Sequence, residues 1–342
     1  MLKSFIGGLK SNKSVNLLSC LFHTSIKQEG INKALLSKLR KKTGFPFVKC
    51  KNALEKFDNN LEQAEAWLKE QAQKEGWAKA TKLQGRPMSQ GLIGVMVDKD
   101  HSTMVEVNCE TDFVARNDKF QNLVFTVTNA CMSWGKQRSE NKIYLGSSAV
   151  KQIPASEGKT LADLLALEIG NIGENMDIRR AVLFKVDDQN KIGSYVHSVG
   201  SQKEKSAKCA TGKFGAVSVF SHEMAAQERQ QLSTHELGRQ LCQHIVGMNP
   251  STIGTASDLV KEETDSESSS ESSSSDEDRP AEKEESIMLK QEFLLDPTVK
   301  VHEFLKENGV TVYDFVRFEC GEQLEVEEEP QEVYVSHPES AS

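Results

Sequence analysis

The sequence has few cysteines, few prolines and no long hydrophobic run. Its 342 residues include 7 cysteines and 8 prolines, and no two cysteines form a CxxC pair. An odd number of scattered cysteines argues against a disulfide framework and a cysteine-based zinc site, and is typical of a reducing compartment. We therefore expect mostly buried thiols. No run of about 18 apolar residues occurs, so no segment is predicted to cross a membrane.

Acidic residues are missing from the start of the chain, where Glu29 is the first carboxylate. Lysines, serines and apolar residues at helical spacing give this segment an amphipathic, basic character. The apolar residues are Leu2, Phe5, Ile6 and Leu9. The segment resembles a mitochondrial transit peptide, although it contains no arginine. A secretory signal would need a longer apolar core than residues 17–22 provide. We expect residues 1–27 to be a transit peptide.

The net charge of −8 is unevenly distributed along the chain. Residues 261–285 hold eleven acidic and three basic side chains, whereas residues 31–86 hold thirteen basic and six acidic ones. The basic stretch fits either an acidic partner or an ordinary solvated helix surface, and both interpretations stay open. Nucleic acid is not expected as a partner, because the stretch lacks aromatic residues interleaved with arginine.

Three helical patterns predict a small module at residues 28–76. The first helix is expected to end at Gly44, and the third to open at Asn59 or Asn60 and stop at Gly76. Their apolar stripes can bury one core. The stripes are Ile31, Leu35 and Leu39, then Cys50, Leu54 and Phe57, then Leu61, Ala64 and Leu68.

Strand and helix patterns alternate in the remainder of the chain. We expect strands at 92–97, 103–107, 181–186, 192–197, 215–220 and 315–320, and helices at 111–134, 160–169, 227–246 and 301–306. Residues 135–158 are predicted to be an exposed connection. The pattern indicates an α+β fold with antiparallel sheets in two subdomains, at 77–180 and 181–326. The acidic, serine-rich insertion at 261–286 and the tail at 327–342 are predicted to be disordered.

Two motifs that suggest catalysis or metal binding fail on closer reading. Three His-Glu dipeptides, at His222, His235 and His302, lack the second histidine that a zinc-protease helix places four residues later. The GKT at 158–160 imitates the end of a phosphate-binding loop, but Ile153 stands where that loop needs glycine. We therefore expect neither a metal nor a cofactor.

The most informative stretch is VEVNCETDFVARNDKF, residues 105–120. Its first half alternates valine with polar residues and predicts a half-buried strand. Thr111 is a good N-cap for the following helix, and Asp112 places negative charge near the positive end of that helix. Phe113 is then presented at a strand-to-helix corner, where a large ring packs in the chain's own core or in a partner's pocket. The residues alone favour the core.

This stretch closely resembles the second signature of the elongation factor Ts family. Leu39-Arg40, Thr43-Gly44, Cys50-Lys51 and Ala53-Leu54 resemble the family's N-terminal signature at the family's spacing. Four more blocks, in the same order, are similar to the mitochondrial branch. They are KEGWAKATKLQGR at 74–86, IGEN at 172–175, GSYVH at 193–197 and DFVRFECGE at 314–322.

The resemblance implies a guanine-nucleotide exchange factor for elongation factor Tu, without covalent chemistry, and a ubiquitin-associated-like fold for the three-helix module. The Phe113 ring is implied to enter a pocket on the GTPase, while Asp112, with its neighbours Thr111 and Val114, disturbs the Mg²⁺ site. The other implied contact residues are Arg40, Phe47, Val48, Lys51, Ile172, His197, Leu294 and Leu295. A core position for His197 stays open.

The resemblance also implies a partner, an assembly state and a location. The partner is mitochondrial elongation factor Tu in a one-to-one complex in the matrix. The protein alone is expected to be a monomer, because the acidic insertion replaces the dimerisation hairpin of bacterial relatives. Two residues depart from the family's signature, Pro46 and Lys49. The alternatives are a ubiquitin-type adaptor that uses the three-helix module, and an enzyme with Asp112 as its acid.

Overall fold

The computed structural model describes residues 32–156, 158–198, 209–223, 232–259 and 286–324. These residues belong to two compact units, which divide between Lys69 and Glu70. The predicted transit peptide and tail lie outside the described residues, as does the acidic insertion apart from Ser286. No helix among the described residues is long and apolar enough to cross a membrane.

The first unit contains helices α1 (Lys33–Thr43) and α2 (Phe47–Lys56) and the start of α3 (Leu61–Leu83). α1 ends at Gly44 in the left-handed conformation, with φ of 70°, as predicted. The Asn60 side chain accepts a hydrogen bond from the Gln63 N–H at the start of α3. One face of each helix lines a common core. Its buried members are Leu36, Leu39, Cys50, Ala53, Leu54, Ala64 and Leu68.

The prediction that the third helix stops at Gly76 is wrong, since α3 continues to Leu83. In the second unit, Gly76 lies against helix α7 (Leu161–Ile172), where a Cβ on Gly76 would overlap the Ala166 carbonyl oxygen. A Cβ on Gly170 would lie 3.0 Å from the Gly76 Cα. Gly76 therefore permits close approach of two helix backbones rather than ending a helix.

The second unit contains a five-stranded antiparallel sheet with the strand order β3-β6-β2-β1-β8. The strands are β1 (Gln90–Asp98), β2 (His101–Cys109), β3 (Lys142–Gly146), β6 (Met176–Lys185) and β8 (Ala210–Gly212). β1 and β2 form the predicted hairpin. β6 pairs with β2 along its length, so it joins the first sheet although the expected subdomain boundary crosses it at residue 180.

A second antiparallel sheet has the order β12-β9-β7. Its strands are β7 (Asn190–His197), β9 (Phe214–His222) and β12 (Val310–Glu319). The two sheets share a buried cluster that includes Val95, Met104, Val217 and Phe318, so they pack face to face. Helices cover their outer faces, which confirms the predicted α+β fold with antiparallel sheets.

The outer helices lie in two groups. Helix α5 (Asp118–Gly135) and α7 share a core with the first sheet. Helix α8 (Thr234–Met248) and α9 (Val301–Glu307) share a core with the second sheet. A 3-10 turn (Met288–Lys290) and a hairpin of β10 (Glu292–Phe293) and β11 (Asp296–Lys300) lie between α8 and α9 in the chain.

The strand β2 is buried on both faces rather than half-buried as predicted. Val105 and Val107 face the helices, whereas Glu106 faces the second sheet and is fully buried. Its carboxylate pairs with Arg180 Nε at 2.7 Å and Arg179 Nη1 at 3.0 Å. The second sheet covers the face of β2 that carries the polar residues. The charge of Glu106 on that face is therefore balanced by an internal ion pair rather than by solvent.

The exposed connection predicted at 135–158 is wrong. This stretch contains β3, helix α6 (Ser147–Lys151) and strand β4 (Pro154–Ser156), which pairs with β5 (Lys159–Thr160). Ile143, Leu145, Val150 and Ile153 are buried in the core beneath α5. Short elements with one or two apolar residues each are too brief to show a periodic pattern.

The single helix predicted at 111–134 is two helices. α4 (Asp112–Ala115) makes one turn, and α5 begins at Asp118. Asn117 separates them and caps α5, since its side chain accepts a hydrogen bond from the Lys119 N–H at 2.9 Å. Because of this break, the axis of α4 does not have to follow the axis of α5.

Candidate functional site

The corner between β2 and α4 carries the residues on which the functional prediction depends. β2 ends at Cys109, and α4 begins at Asp112 after Thr111. The Thr111 hydroxyl oxygen accepts a hydrogen bond from the Val114 backbone N–H at 3.3 Å. This bond satisfies one of the free donors in the first helical turn and confirms Thr111 as the N-cap.

Phe113 points away from the chain's own core and is 80% exposed. The alternative that this ring packs internally is therefore wrong. The two following residues, Val114 and Ala115, are buried in the same cluster as Phe120 of α5. The Val114 side chain, implied as a partner contact, is thus in the chain's own core. One side of α4 anchors the turn while the other presents the ring.

Asp112 lies on the exposed side of the corner and pairs with Arg116, with 3.0 Å between carboxylate and guanidinium. Residues four apart face each other on a helix, so the spacing of these two residues was a visible signal that sequence reasoning missed. The Arg116 side chain is largely exposed and that of Asp112 is partly exposed, and such a pair contributes little to stability. In this pair the Asp112 carboxylate, next to Phe113 in the sequence, is directed to Arg116.

Two further carboxylates, which sequence reasoning also missed, hold the backbone of the corner. Glu174 accepts hydrogen bonds from both the N–H and the hydroxyl of Thr111. Glu110 accepts one from the Asn175 N–H at 2.6 Å. The available signal for Glu174 was the IGEN block at 172–175, in which the resemblance gave a role only to Ile172.

The remaining predicted contacts of the second unit lie at three separate places. Ile172 is the last residue of α7 and is half-buried against the first core. His197 ends β7 and is exposed, with its Nδ1 3.3 Å from the Tyr195 hydroxyl, so a core position for His197 is wrong. Leu294 and Leu295 form the turn between β10 and β11, and both are exposed.

The predicted contacts of the first unit lie on α1 and α2. Phe47 and Val48 open α2 and are 52% and 62% exposed. Pro46 is the N-cap residue of α2, with φ of −56°, a value that the proline ring fixes, and it has no N–H that would need a hydrogen-bond partner. Lys51 lies one turn further along α2, and Arg40 lies in the last turn of α1. With Pro46 in place, Phe47 and Val48 still give this turn an exposed apolar surface.

The motifs that failed on sequence have structural explanations. Thr160, the last residue of GKT, caps α7 in a reciprocal arrangement with Asp163. His222 Nδ1 lies 2.9 Å from the Thr234 hydroxyl, and His302 Nδ1 lies 3.1 Å from the Leu289 carbonyl oxygen. In the part of the chain that the structure describes, no group of three or more His, Cys, Asp or Glu could hold a metal ion.

Most of the described cysteines are buried, as predicted. Cys50, Cys109, Cys131 and Cys242 are buried, and two others are partly exposed. Burial raises the pKa of the Cys131 and Cys242 thiols to about 12. A raised pKa keeps a thiol protonated near neutral pH, and a protonated thiol is a poor nucleophile.

Comparison with known proteins bears directly on this corner. The sequence model of the family described as Elongation factor TS matches residues 110–322, more than half of the chain. This chain belongs to the elongation factor Ts family. A second model, described as Elongation factor Ts, mitochondrial, N-terminal, matches residues 19–78. The resemblance found in the signature residues is confirmed.

Curated relatives of this elongation factor Ts sequence are similar along most of their length. A protein of Branchiostoma floridae is 46% identical, with 92% of this chain and 97% of the relative covered. Relatives from Xenopus laevis and Homo sapiens are 43% and 42% identical, over 89% and 87% of this chain and 92% and 86% of their own. All three are named Elongation factor Ts, mitochondrial. The elongation factor Ts family provides the nucleotide exchange factor for elongation factor Tu in translation elongation.

Proposed function

We propose that this protein binds the GDP-bound form of mitochondrial elongation factor Tu, promotes the release of GDP and allows GTP to enter. The observation that supports this function best is the 80% exposure of Phe113 on a corner whose backbone is held by hydrogen bonds. A large aromatic side chain left in water at a fixed place is suited to fill a partner's pocket. Such side chains often contribute most of the free energy of an interface.

Exchange of this kind needs no covalent step. A GTPase retains GDP through contacts to the phosphates and Mg²⁺. A factor that binds the nucleotide-free GTPase more tightly than the GDP-bound form weakens GDP binding by the same ratio. In our proposal the Phe113 ring supplies binding energy, and the neighbouring Asp112 carboxylate disturbs the helix and the waters that support Mg²⁺.

The other contact residues extend the interface at both units. Phe47 and Val48 offer a second exposed apolar pair, and the proposed cationic contacts are Arg40 in the last turn of α1 and Lys51 one turn further along α2. In the second unit the proposed contacts are Ile172, His197, Leu294 and Leu295. Because Val114 is buried, its part is to anchor α4 rather than to touch the GTPase.

The domain scheme and the assembly state belong to the same proposal. Residues 1–27 direct the chain to the mitochondrial matrix and are removed there, and residues 28–76 form the ubiquitin-associated-like module. Residues 77–180 and 181–326 supply the two parts of the exchange core, and strand β6 crosses the boundary between them. The protein alone is a monomer and its complex is one-to-one, since an insertion with a charge of −8 repels its copy. Intact mass and light scattering test these points.

Release of labelled GDP from mitochondrial elongation factor Tu tests the function directly. We expect the protein to accelerate release at concentrations well below that of the GTPase, because each molecule acts repeatedly. An unrelated GTPase loaded with the same nucleotide serves as the control and should lose GDP at its intrinsic rate. If elongation factor Tu also loses GDP at its intrinsic rate, the proposed function is wrong.

A further inference from the structure

The IGEN block at 172–175 lies opposite the corner that carries Phe113. Strands β2 and β6 pair in antiparallel register as far as Cys109 and Met176. Beyond this last pair, side chains connect the two segments. The block therefore adjoins the corner, although the contacts implied for the partner use only its first residue.

Glu174 holds the backbone of Thr111 from this side. Its Oε2 accepts a hydrogen bond from the Thr111 N–H at 3.1 Å, and its Oε1 accepts one from the Thr111 hydroxyl at 2.8 Å. The same hydroxyl oxygen accepts from the Val114 N–H. Because the hydroxyl hydrogen points to Glu174, the oxygen lone pairs remain available to Val114. Glu174 thereby also fixes the first turn of α4.

Glu110 makes the reciprocal contact. Its Oε1 accepts from the Asn175 N–H at 2.6 Å, and its carboxylate lies 3.4 Å from Arg86 Nη1. The Asn175 side chain in turn donates to the Arg86 carbonyl oxygen at 3.2 Å. Each segment thus donates a backbone N–H to a glutamate of the other. Charged acceptors make such bonds about twice as strong as neutral ones.

We propose that Glu174 is a positioning residue for nucleotide exchange, which acts through Thr111 to direct the Phe113 ring towards the GTPase. The inference rests on the proposed function. A ring that is 80% exposed receives little orientation from packing, so its direction depends on the α4 backbone. A corner without Glu174 samples more conformations, and the partner must restrict them at the cost of affinity.

A double-mutant cycle separates positioning from a general effect on folding. If Glu174 acts through the ring, its removal affects exchange only while the ring is present. If Glu174 merely stabilises the fold, its removal has the same effect with or without the ring, because independent effects add. The four proteins are the wild type, Glu174→Ala, Phe113→Ala and the double variant, all assayed for GDP release at subsaturating concentration.

We expect Glu174→Ala to slow GDP release about tenfold, the loss typical of a hydrogen bond to a charged group. In the Phe113→Ala background the same substitution should cost less than about twofold. Glu174→Gln should be intermediate, because the amide oxygen accepts one of the two bonds but its NH₂ accepts none. Hydrogen exchange at residues 111–116 of the isolated Glu174→Ala protein should be faster than in the wild type.

Glu303→Ala is the matched control, since Glu303 accepts a hydrogen bond from the Lys300 N–H at the start of α9. It removes the same kind of bond and should leave exchange unchanged. Equal losses in both backgrounds, or no loss in Glu174→Ala, overturn the inference. Should Glu174→Ala fail to fold, the cycle with Glu174→Gln gives the same decision. Wild-type exchange by Phe113→Ala would instead overturn the role proposed for the ring, whereas release at the intrinsic rate with the wild-type protein would overturn the proposed function.

Discussion

Phe113 and Val114 are neighbours with opposite environments, because each residue of a helix turns the side-chain direction by about 100°. Val114 contributes to the core, while Phe113 contributes little to it. The exposed ring therefore has almost no part in the stability of the isolated protein. The ring can contribute free energy only when a partner covers it. A substitution of Phe113 therefore tests binding separately from folding.

Phe113→Ala should change the unfolding free energy of the isolated protein by less than about 1 kcal/mol, as is usual for an exposed position. The complex with elongation factor Tu should lose about 2–4 kcal/mol, as expected for a central aromatic contact. Urea unfolding and a titration of GDP release measure the two quantities. Phe125→Ala removes a phenylalanine of α5 that is only 36% exposed, so it should lower the unfolding free energy and leave the affinity for elongation factor Tu unchanged.

His244 predicts how stability responds to acid. The ring is buried, its Nε2 lies 3.0 Å from Gln291 Oε1, and its Nδ1 accepts from the Leu294 N–H. Burial lowers the pKa of His244 below its ordinary value of 6.5. As the pH falls below 6.5, this histidine takes up a proton in the unfolded chain but stays neutral in the native state. The unfolding free energy therefore falls as pH decreases.

Urea unfolding at about pH 7.5 and about pH 5.5 measures how far the unfolding free energy falls between the two pH values. The fall should be smaller in His244→Gln than in the wild type, because glutamine cannot take up the proton. His235→Gln removes an exposed histidine of the same helix and should keep the wild-type dependence. An equal fall in His244→Gln and wild type would contradict the prediction.

Some residue-level features could be predicted because their causes are local. Thr111 caps α4 and Gly44 ends α1, and both functions depend on residues within one turn. Glu174 could not be assigned a function, because its partner Thr111 lies 63 residues away and the contact exists only after β2 and β6 pair. Whether the Phe113 ring is buried or exposed depends on the direction in which α4 continues from β2. That direction is also set by tertiary contacts.

At the level of elements, the contact between α3 and α7 shows that glycine can have two different structural roles in helices. Glycine ends helices in the left-handed conformation, and it also permits close approach inside a helix. Gly44 has the first role and Gly76 the second. A sequence pattern alone favours the first, since the second requires knowledge of the neighbouring helix. The sequence therefore predicts a shorter α3 than the structure has.

Gly76→Ala should destabilise the second unit by about 1–3 kcal/mol, because the new methyl group meets the Ala166 backbone rather than a flexible side chain. The gain in helix propensity, about 1 kcal/mol, offsets part of a larger steric cost. Gly146→Ala is the control, since no atom lies within 4 Å of the position that its Cβ would occupy and its φ is −72°. Denaturant midpoints compare the two, and equal midpoints would refute the close approach.

At the scale of the whole second unit, the two sheets enclose a charged group. Glu106 is fully buried, and its carboxylate also accepts from the Gly321 N–H at 2.8 Å after β12. Arg180 additionally pairs with Glu322, so the DFVRFECGE block at 314–322 and β2 share one network. Predicting the α+β class required only local periodicity, whereas predicting this network required the packing of one sheet on the other.

Glu106→Ala should cost about 3–5 kcal/mol of unfolding free energy, because it leaves the guanidinium groups of Arg179 and Arg180 near the interior without their shared carboxylate. Glu55→Ala removes a carboxylate from an exposed pair with Lys51 and should cost less than about 1 kcal/mol. Denaturant unfolding of both variants gives the comparison. A cost for Glu106→Ala as small as the control's would mean that solvent reaches the network.

The strand order β3-β6-β2-β1-β8 has a consequence for the newly made chain. Synthesis from the N-terminus delivers β1 and β2 first, but their outer neighbours, β8 and β6, come from later in the sequence. Until residue 212 has been synthesised, β1 keeps an open edge of unpaired N–H and C=O groups, which other chains can pair with. We therefore expect the nascent protein to be more prone to pairing with other chains before β8 has been made than after it.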